Sequence, residues 1–329
     1  MMAMPIFRHS AAAFTSYEWV NIRLKSLYKI LDMITSESGP IGIFDSGYGG
    51  LTILKEIRRT LPAYDYIYLG DNARAPYGTR SFDVVYRFTL ESVRYLFSRG
   101  CRLVILACNT ASAKALRTIQ QHDLPGIDPS RRVLGVIRPT VEQLGVLSKS
   151  GHIGIFATPG TIQSESYNME IAKLYPGFVT VGHACPMWVP LIENGEADRP
   201  GADYFVKQEV DRLLAKDSDI DTIILACTHY PLLINKIRQY VPEGIRLVTQ
   251  GEIVAESLAS YLKRHTDLER RLHKATSPDS GMKFILPGAP LQTDNTGSCE
   301  FITTENSIKF SQMASLFLGR PVTATSIEI

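Results

Sequence analysis

Short apolar runs alternate with amphipathic segments along most of the chain. PIGIF (40–44) has the composition of a buried strand, and LTILKEIRRTLP (51–62) follows it with apolar residues spaced as on one face of a helix. Two more strand–helix pairs follow, 64–71 with 81–100 and 102–107 with 112–121. Because strands that alternate with helices form parallel sheets, the pattern predicts an α/β fold.

Two stretches of the first half recur in the second half in the same order. IGIFDSG (41–47) matches IGIFATPG (153–160) at an offset of 112, and VILACNT (104–110) matches IILACTH (223–229) at an offset of 119. Such a repeat indicates an internal duplication. We therefore expect two similar lobes, each a mainly parallel sheet flanked by helices, related by a pseudo-twofold axis. The active site would lie in the cleft between them, at the carboxyl ends of the strands.

The repeat and the composition predict the domain boundaries. The first lobe comprises 40–135 plus 245–320, and the second lobe comprises 136–244. Residues 1–39 form an N-terminal extension to this pattern. Residues 265–300 are polar and rich in glycine and proline, so we expect a loop insertion there.

Composition excludes several classes of protein. The chain has 329 residues, 45% of them hydrophobic, and a net charge of +2, which gives no electrostatic case for nucleic-acid binding. No apolar run approaches the roughly 18–20 residues that span a bilayer, and no secretion signal is apparent, so we expect a cytoplasmic protein. The five cysteines are odd in number and contain no CxxC, which argues against both a disulfide framework and a zinc site.

Cys108 and Cys227 occupy matching positions in the repeat. Each ends a predicted strand, and Cys108 also precedes a helix, whose N-terminal dipole is expected to lower the thiol pKa below about 8.5. A phosphatase loop would need arginine six residues after the cysteine, where Lys114 and Leu233 stand. The remaining cysteines lack this context and are interpreted as core residues: Cys101, Cys185 and Cys299.

The loop FDSGYGG (44–50) places Asp45 and Ser46 at the end of the first strand, ahead of three glycines in four positions. Such a loop lets backbone N–H groups approach a carboxylate or phosphate closely. A dinucleotide fingerprint fails because, counted from the first glycine, its last position is Thr52. A P-loop fails because no GK[ST] follows.

Two thiols on opposite sides of a small ligand suit the transfer of a proton from one face of a carbon to the other. Asp45 is placed to orient or deprotonate Cys108, and His229 is placed to do so for Cys227. Donors for a carboxylate and a developing enediolate come from the same loops: Asn109, Thr110 and Thr228.

Six motifs make the chain similar to the glutamate racemases, cofactor-independent members of the aspartate/glutamate racemase superfamily. The similarity runs from about 40 to 265 and resumes at 300–319. The motifs are IGIFDSGYGGLT, YLGDNARAPYGTRS, ACNTAS, ATPGTIQS, ACPMWVPLIENG and ACTHYPLL.

The resemblance implies a set of site residues. The acid/base thiols would be Cys108 and Cys227, assisted by Asp45 and His229. Asp71 and Glu193 match acidic positions linked to activity in the family, with catalysis and structure not separated. The residues implied to bind glutamate are Asp45, Ser46, Tyr77, Gly78, Asn109, Thr110, Thr158, Thr161 and Thr228.

The resemblance also implies that no cofactor or metal is used, that the product D-glutamate supplies peptidoglycan synthesis, and that the chain forms a homodimer. Some longer bacterial racemases are regulated by a cell-wall precursor, so the extension 1–39 raises the hypothesis of a peptidoglycan-precursor activator.

Three alternatives stay open at this point. CNTAS and CTHYPLL favour glutamate over aspartate, because aspartate racemases typically carry CNTAH and a CTE-type motif. A racemase of the same superfamily that acts on aspartate or another amino acid is the first alternative. A related decarboxylase would need only one thiol. A clamshell that binds an amino acid without turnover would need no matched thiol pair.

Overall fold

The structure, a computed structural model, describes residues 38–275 and 296–329. Within these ranges the strands form two sheets, one of six strands and one of four, and every strand pair is parallel. No helix in the described ranges has the length and apolar character needed to cross a membrane. The strands are β1 (Ile41–Asp45), β2 (Tyr66–Gly70), β3 (Leu103–Leu106), β4 (Arg132–Gly135), β5 (His152–Ala157), β6 (Val179–Ala184), β7 (Thr222–Ala226), β8 (Arg246–Val248), β9 (Cys299–Thr303) and β10 (Ala324–Ser326).

The two sheets repeat one strand order. The first sheet reads β10-β9-β2-β1-β3-β4 and the second reads β6-β5-β7-β8, so β2-β1-β3-β4 has its counterpart in β6-β5-β7-β8. The central strands also share a register, since Ile41 pairs with Leu103 in the first sheet and Ile153 pairs with Thr222 in the second. The α/β fold with two similar parallel-sheet lobes is therefore confirmed, with β9 and β10 added at one edge of the first sheet.

Helices connect the strands and cover the sheets, as expected for parallel α/β units. Among the described residues the α-helices are α1 (Leu51–Thr60), α2 (Phe82–Ser98), α3 (Asn109–Lys114), α4 (Leu116–Thr118), α5 (Leu124–Ile127), α6 (Ile137–Glu142), α7 (Leu144–Leu147), α8 (Pro159–Gln163), α9 (Ser166–Leu174), α10 (Trp188–Glu193), α11 (Pro200–Leu214), α12 (Ile234–Tyr240), α13 (Gly251–Arg264), α14 (Thr266–Glu269) and α15 (Ser307–Leu318). Single turns of 3₁₀ helix occur at Asn72–Arg74 and Tyr230–Leu233, and a π turn occurs at Ile119–Asp123.

The amphipathic pattern of 51–62 produces α1 as predicted. Its apolar stripe (Leu51, Leu54 and Ile57) is fully buried, and the helix ends at Thr60, two residues before Pro62. Near the C-terminus the Asn306 side chain accepts hydrogen bonds from the N–H groups of Ile308 and Lys309 and caps α15.

Two predicted boundaries need correction. The boundary at 245 assigned residues 246–248 to the first lobe. The strand β8 pairs with β7, so these residues belong to the second sheet. The segment is too short for its three residues to show a strand pattern in the sequence. In addition, β10 lies beyond residue 320, where the first lobe was predicted to end.

Part of the predicted loop insertion at 265–300 forms regular secondary structure. It contains α14 at its start and the first residues of β9 at its end. Bridges join Leu272 to Gly39 and Lys274 to Tyr64, which fastens residues 272–274 to the first lobe. Residues 276–295, and residues 1–37 of the predicted extension, lie outside the described ranges.

Candidate active site

Three strand ends bring the predicted catalytic residues together. Asp45 ends β1, Cys108 follows β3, and Cys227 follows β7. The two cysteines are 5% and 6% exposed, and a charge on Cys227 raises the pKa of Cys108, so the two thiols share one electrostatic site. The lobes meet here: the Thr228 hydroxyl donates to Asp45 Oδ1 at 3.5 Å.

Cys108 lies in surroundings that keep its thiol protonated. Burial raises its pKa to about 12, and the negative charge of Asp45 adds to the effect. Hydrogen bonds to the sulfur from the Ala111 N–H and with the Ser46 hydroxyl, both at 3.4 Å, oppose the shift without reversing it. The prediction of a lowered pKa for Cys108 is wrong, because the one weak contact from the helix N-terminus does not offset the loss of water around the sulfur.

Asp45 contacts the opposite lobe instead of the Cys108 sulfur. Its Oδ2 accepts from the Gly47 N–H at 2.9 Å, and its Oδ1 faces Thr228. Burial raises the pKa of Asp45. The positive charge of His229 and the backbone N–H donors lower this pKa but do not offset the effect of burial. In the described part of the chain, the side chain hydrogen-bonded to Cys108 is that of Ser46, so Asp45 acts on Cys108 through its charge.

Cys227 has a cationic neighbour. His229 Nε2 lies 3.0 Å from Glu193 Oε1, and Cys227 also acts on the pKa of the imidazole. Burial alone would lower the pKa of His229, but the effects of Cys227 and Glu193 outweigh it and raise that pKa to about 10. The protonated imidazole places a positive charge beside Cys227. His229, paired with Glu193, is thus the charged neighbour of Cys227.

The glycine-rich loop after β1 fits only without side chains at its closest approach to the second lobe. A Cβ at Gly49 would lie 2.2 Å from Thr228 Oγ1 and 2.4 Å from His229 Nδ1. Just after this loop, in the first turn of α1, Thr52 Oγ1 donates to the Thr228 carbonyl at 3.0 Å. The loop therefore holds the Cys227 motif against the first lobe.

A second approach between the lobes involves the predicted binding residues. The Gly160 N–H donates to the Gly78 carbonyl at 2.7 Å, and a Cβ at Gly78 would lie 2.8 Å from Thr158 Cβ. Beside it, three hydroxyls form a triangle with sides of 3.0, 3.1 and 3.2 Å: those of Thr110, Thr158 and Thr161. The structure therefore brings these predicted binding residues together.

Asp71 and Tyr77 contact each other within the first lobe. The Tyr77 hydroxyl donates to Asp71, whose carboxylate also accepts from Arg74 Nε at 2.7 Å and from the Thr304 hydroxyl at 2.8 Å. Asp71 is fully buried and satisfied by these three donors. Its contacts are those of a structural anchor for the loop that carries Tyr77 and Gly78.

Asn109 is held by two residues that the sequence analysis did not identify. Its Nδ2 donates to Gln250 Oε1 at 2.6 Å, and its Oδ1 accepts from the Tyr167 hydroxyl at 2.7 Å. Gln250 follows β8, so the rule that sites form at carboxyl ends of strands is the signal that would have indicated it.

The other cysteines lie in the predicted surroundings. Cys101 and Cys185 belong to hydrophobic cores, and Cys299 is half-buried on β9. All five cysteines are free thiols. One group among the described residues has a geometry that could hold a cation, His152 with Asp217 and Asp219, and it lies at the amino end of β5, opposite the thiols.

Sequence comparison places the chain among known enzymes. The family model described as Asp/Glu/Hydantoin racemase matches residues 41–258. A glutamate racemase from Geobacter metallireducens is 42% identical over 224 residues, which cover 68% of this chain and 80% of that protein. A glutamate racemase from Roseobacter denitrificans is 38% identical over 296 residues, which cover 86% of this chain and 97% of that protein.

Solved structures of the same family superpose on the chain. Glutamate racemase isoform RacE1 from Bacillus anthracis has a TM-score of 0.73 and 32% identity, covering 88% of this chain and 98% of that one. The enzyme from Francisella tularensis in complex with D-glutamate has a TM-score of 0.72 and 29% identity, covering 89% and 98%. The Escherichia coli enzyme in complex with L-glutamate and the activator UDP-MurNAc-ala has a TM-score of 0.65 and 25% identity, covering 88% and 98%. The chain therefore belongs to the Asp/Glu/hydantoin racemase family, among the glutamate racemases.

Proposed function

We propose that this amino-acid racemase interconverts L-glutamate and D-glutamate with two thiols, Cys227 serving the L enantiomer and Cys108 the D enantiomer. One observation carries the proposal. Two buried cysteines come from matching strand ends of the two lobes and interact electrostatically in one site.

The surroundings of the two thiols support opposite starting states. The raised pKa of Cys108 leaves it as a thiol at neutral pH, which is the form of a proton donor. The raised pKa of His229 leaves a positive charge beside Cys227, and we assign Cys227 the role of the base. This is the state required to convert L-glutamate.

The reaction then proceeds by two proton transfers. The Cys227 thiolate takes the α-proton of L-glutamate, and the electron pair of the C–H bond moves into the α-carboxylate as an enediolate. Cys108 gives its proton to the opposite face of the carbon, which forms D-glutamate and leaves Cys108 as the thiolate. The proton on Cys227 must return to Cys108 through other groups before the next L-glutamate is converted.

The polar groups around the thiols support substrate binding by the residues that the family resemblance implies. Ser46, Asn109 and Thr228 lie beside the two cysteines, and the triangle of threonine hydroxyls lies at the next strand end. Glutamate is supported as substrate by the relatives, since the Francisella protein was solved with D-glutamate and the E. coli protein with L-glutamate.

A binding protein without turnover is the alternative from another class. The pairing of His229 with Glu193 beside buried Cys227 argues against it, because a binder gains nothing from a thiol beside a protonated imidazole. D-glutamate from this reaction would supply peptidoglycan synthesis. The free state of all five cysteines is consistent with a cytoplasmic location, and the homodimer stays a prediction that light scattering would test.

The first prediction concerns the two thiols. Cys108→Ala and Cys227→Ala should each lower racemisation by roughly 10²- to 10⁴-fold, the usual contribution of a general acid or base. In D₂O, Cys108→Ala should still exchange the α-proton of L-glutamate only, and Cys227→Ala that of D-glutamate only. Circular dichroism at a fixed wavelength measures inversion, and proton NMR measures exchange.

Cys101→Ala is the matched control, because it truncates a buried cysteine in the core of the first lobe. It should racemise glutamate at the rate of the unaltered chain. Full activity in either Cys108→Ala or Cys227→Ala would remove the two-thiol mechanism. Exchange of both enantiomers by one variant would remove the assignment of thiols to enantiomers.

The second prediction is a pH shift in Glu193→Gln. Without the Glu193 carboxylate the pKa of His229 falls, so the imidazolium beside Cys227, present below a pKa of about 10, is lost at lower pH. The alkaline limb of the kcat/KM profile should move down by roughly one to two pH units. Because enantiomers have equal free energies, the same shift should appear in both directions.

Glu196→Gln controls for the change of charge, since Glu196 is exposed and lies three residues away. Its profile should superimpose on that of the unaltered chain. If the Glu193→Gln profile also superimposes on it, Glu193 does not act through His229.

The third prediction concerns regulation. By analogy with the E. coli complex, UDP-MurNAc-L-Ala should raise the racemisation rate of the full chain. Residues 1–32 are the segment for which we propose this role, so a variant lacking them should not respond. The test is a titration of both forms at fixed glutamate concentration. Equal, unresponsive rates would end the hypothesis.

A further inference from the structure

A closed ring of three hydrogen bonds lies beside Cys108. Asn109 Nδ2 donates to Gln250 Oε1 at 2.6 Å, Gln250 Nε2 donates to the Tyr167 hydroxyl at 2.8 Å, and that hydroxyl donates to Asn109 Oδ1 at 2.7 Å. The three side chains are 2–3% exposed. Each group donates once and accepts once around the ring, and such cycles reinforce their own bonds.

The ring and the Val136 carbonyl together fix which way the Asn109 amide points, because that carbonyl only accepts and holds Gln250 Nε2 as a donor at 3.3 Å. If that amide turned by half a rotation, its oxygen would face Gln250 Oε1 and its NH₂ group would face the donating hydroxyl of Tyr167. Burial raises the pKa of Tyr167, which keeps that hydroxyl protonated as the donor. In the described part of the chain the second N–H of the Asn109 amide has no protein acceptor, so it is available to an oxygen of the substrate.

The ring lies at both chain segments that connect the two lobes, the one from β4 to β5 and the one from β8 to α13. Gln250 stands between β8 of the second sheet and α13, whose first residue Gly251 lies against Glu56 and Thr52 of α1 in the first lobe. The Gln250 amide also donates to Thr140 Oγ1 at 3.0 Å, on the segment that leads from β4 to β5. The group that holds Asn109 is thus placed where the two lobes are joined.

We propose that Gln250 and Tyr167 are positioning residues for racemisation, which act by fixing the Asn109 amide so that an N–H and not the carbonyl faces the substrate. The proposal rests on the proposed function, in which Asn109 contacts glutamate. Neither residue contacts the thiols in this scheme. The bond from Gln250 to Thr140 lies outside the ring and is not needed for the Asn109 orientation.

The test is a double-mutant cycle on kcat/KM. Tyr167→Phe and Gln250→Met, which removes the amide but keeps the length of the side chain, each break the ring. Each should lower kcat/KM for L-glutamate about tenfold, the effect of one misdirected hydrogen bond. In the background of Asn109→Ala, which keeps both thiols, the same changes should cost less than about twofold, because the residue they act through is gone.

Thr140→Val is the control, since it removes a hydrogen bond of Gln250 that lies outside the ring. Its kcat/KM should stay within about twofold of the unaltered chain, although its thermal stability falls. Equal losses in the presence and absence of Asn109 would overturn the proposal, as would no loss from Tyr167→Phe, the mildest change. Absence of racemisation in the unaltered chain would instead reject the proposed function.

Discussion

Two thiols buried in one site resist carrying the same charge, because desolvation and mutual repulsion both penalise a second thiolate. Cys108 and Cys227 are 5% and 6% exposed, and a charge on Cys227 raises the pKa of Cys108. Their surroundings divide the roles. Asp45 adds a negative charge beside Cys108, whereas His229, paired with Glu193, adds a positive charge beside Cys227. In the mechanism that we propose, Cys108 is the acid and Cys227 is the base of a two-base proton transfer.

This division is built on a duplicated frame. The strand orders β2-β1-β3-β4 and β6-β5-β7-β8 match, and each cysteine follows the equivalent strand of its sheet. The two thiols therefore have equivalent backbone positions. The difference lies in the neighbouring side chains of each lobe, Asp45 beside Cys108 in the first and His229 with Glu193 beside Cys227 in the second. Thr228 reaches Asp45, and Gly49 leaves the space that His229 and Thr228 occupy. The contact between the lobes brings the two charged surroundings into one site.

The sequence predicted the parts of this arrangement that depend on local pattern. Offsets of 112 and 119 between matching strands predicted two lobes, because strand ends that recur in the same order indicate a repeated unit of strands and helices. The pKa of Cys108 was predicted in the wrong direction, since the loss of water around the sulfur cannot be read from a helix start. Gln250 and Tyr167 were missed because β8 is three residues long and their partner Asn109 is 141 and 58 residues away. Asp71 could not be assigned until its donors were visible.

The most direct test of the central claim is the fate of deuterium during conversion by the unaltered chain. L-glutamate would be incubated in D₂O and sampled by mass spectrometry before about a tenth of it is converted. Two thiols with separate roles predict that the D-glutamate formed carries deuterium at the α-carbon while the remaining L-glutamate keeps its protium. Product that retains the original protium, or deuterium that enters both enantiomers at equal rates from the start, would contradict the account.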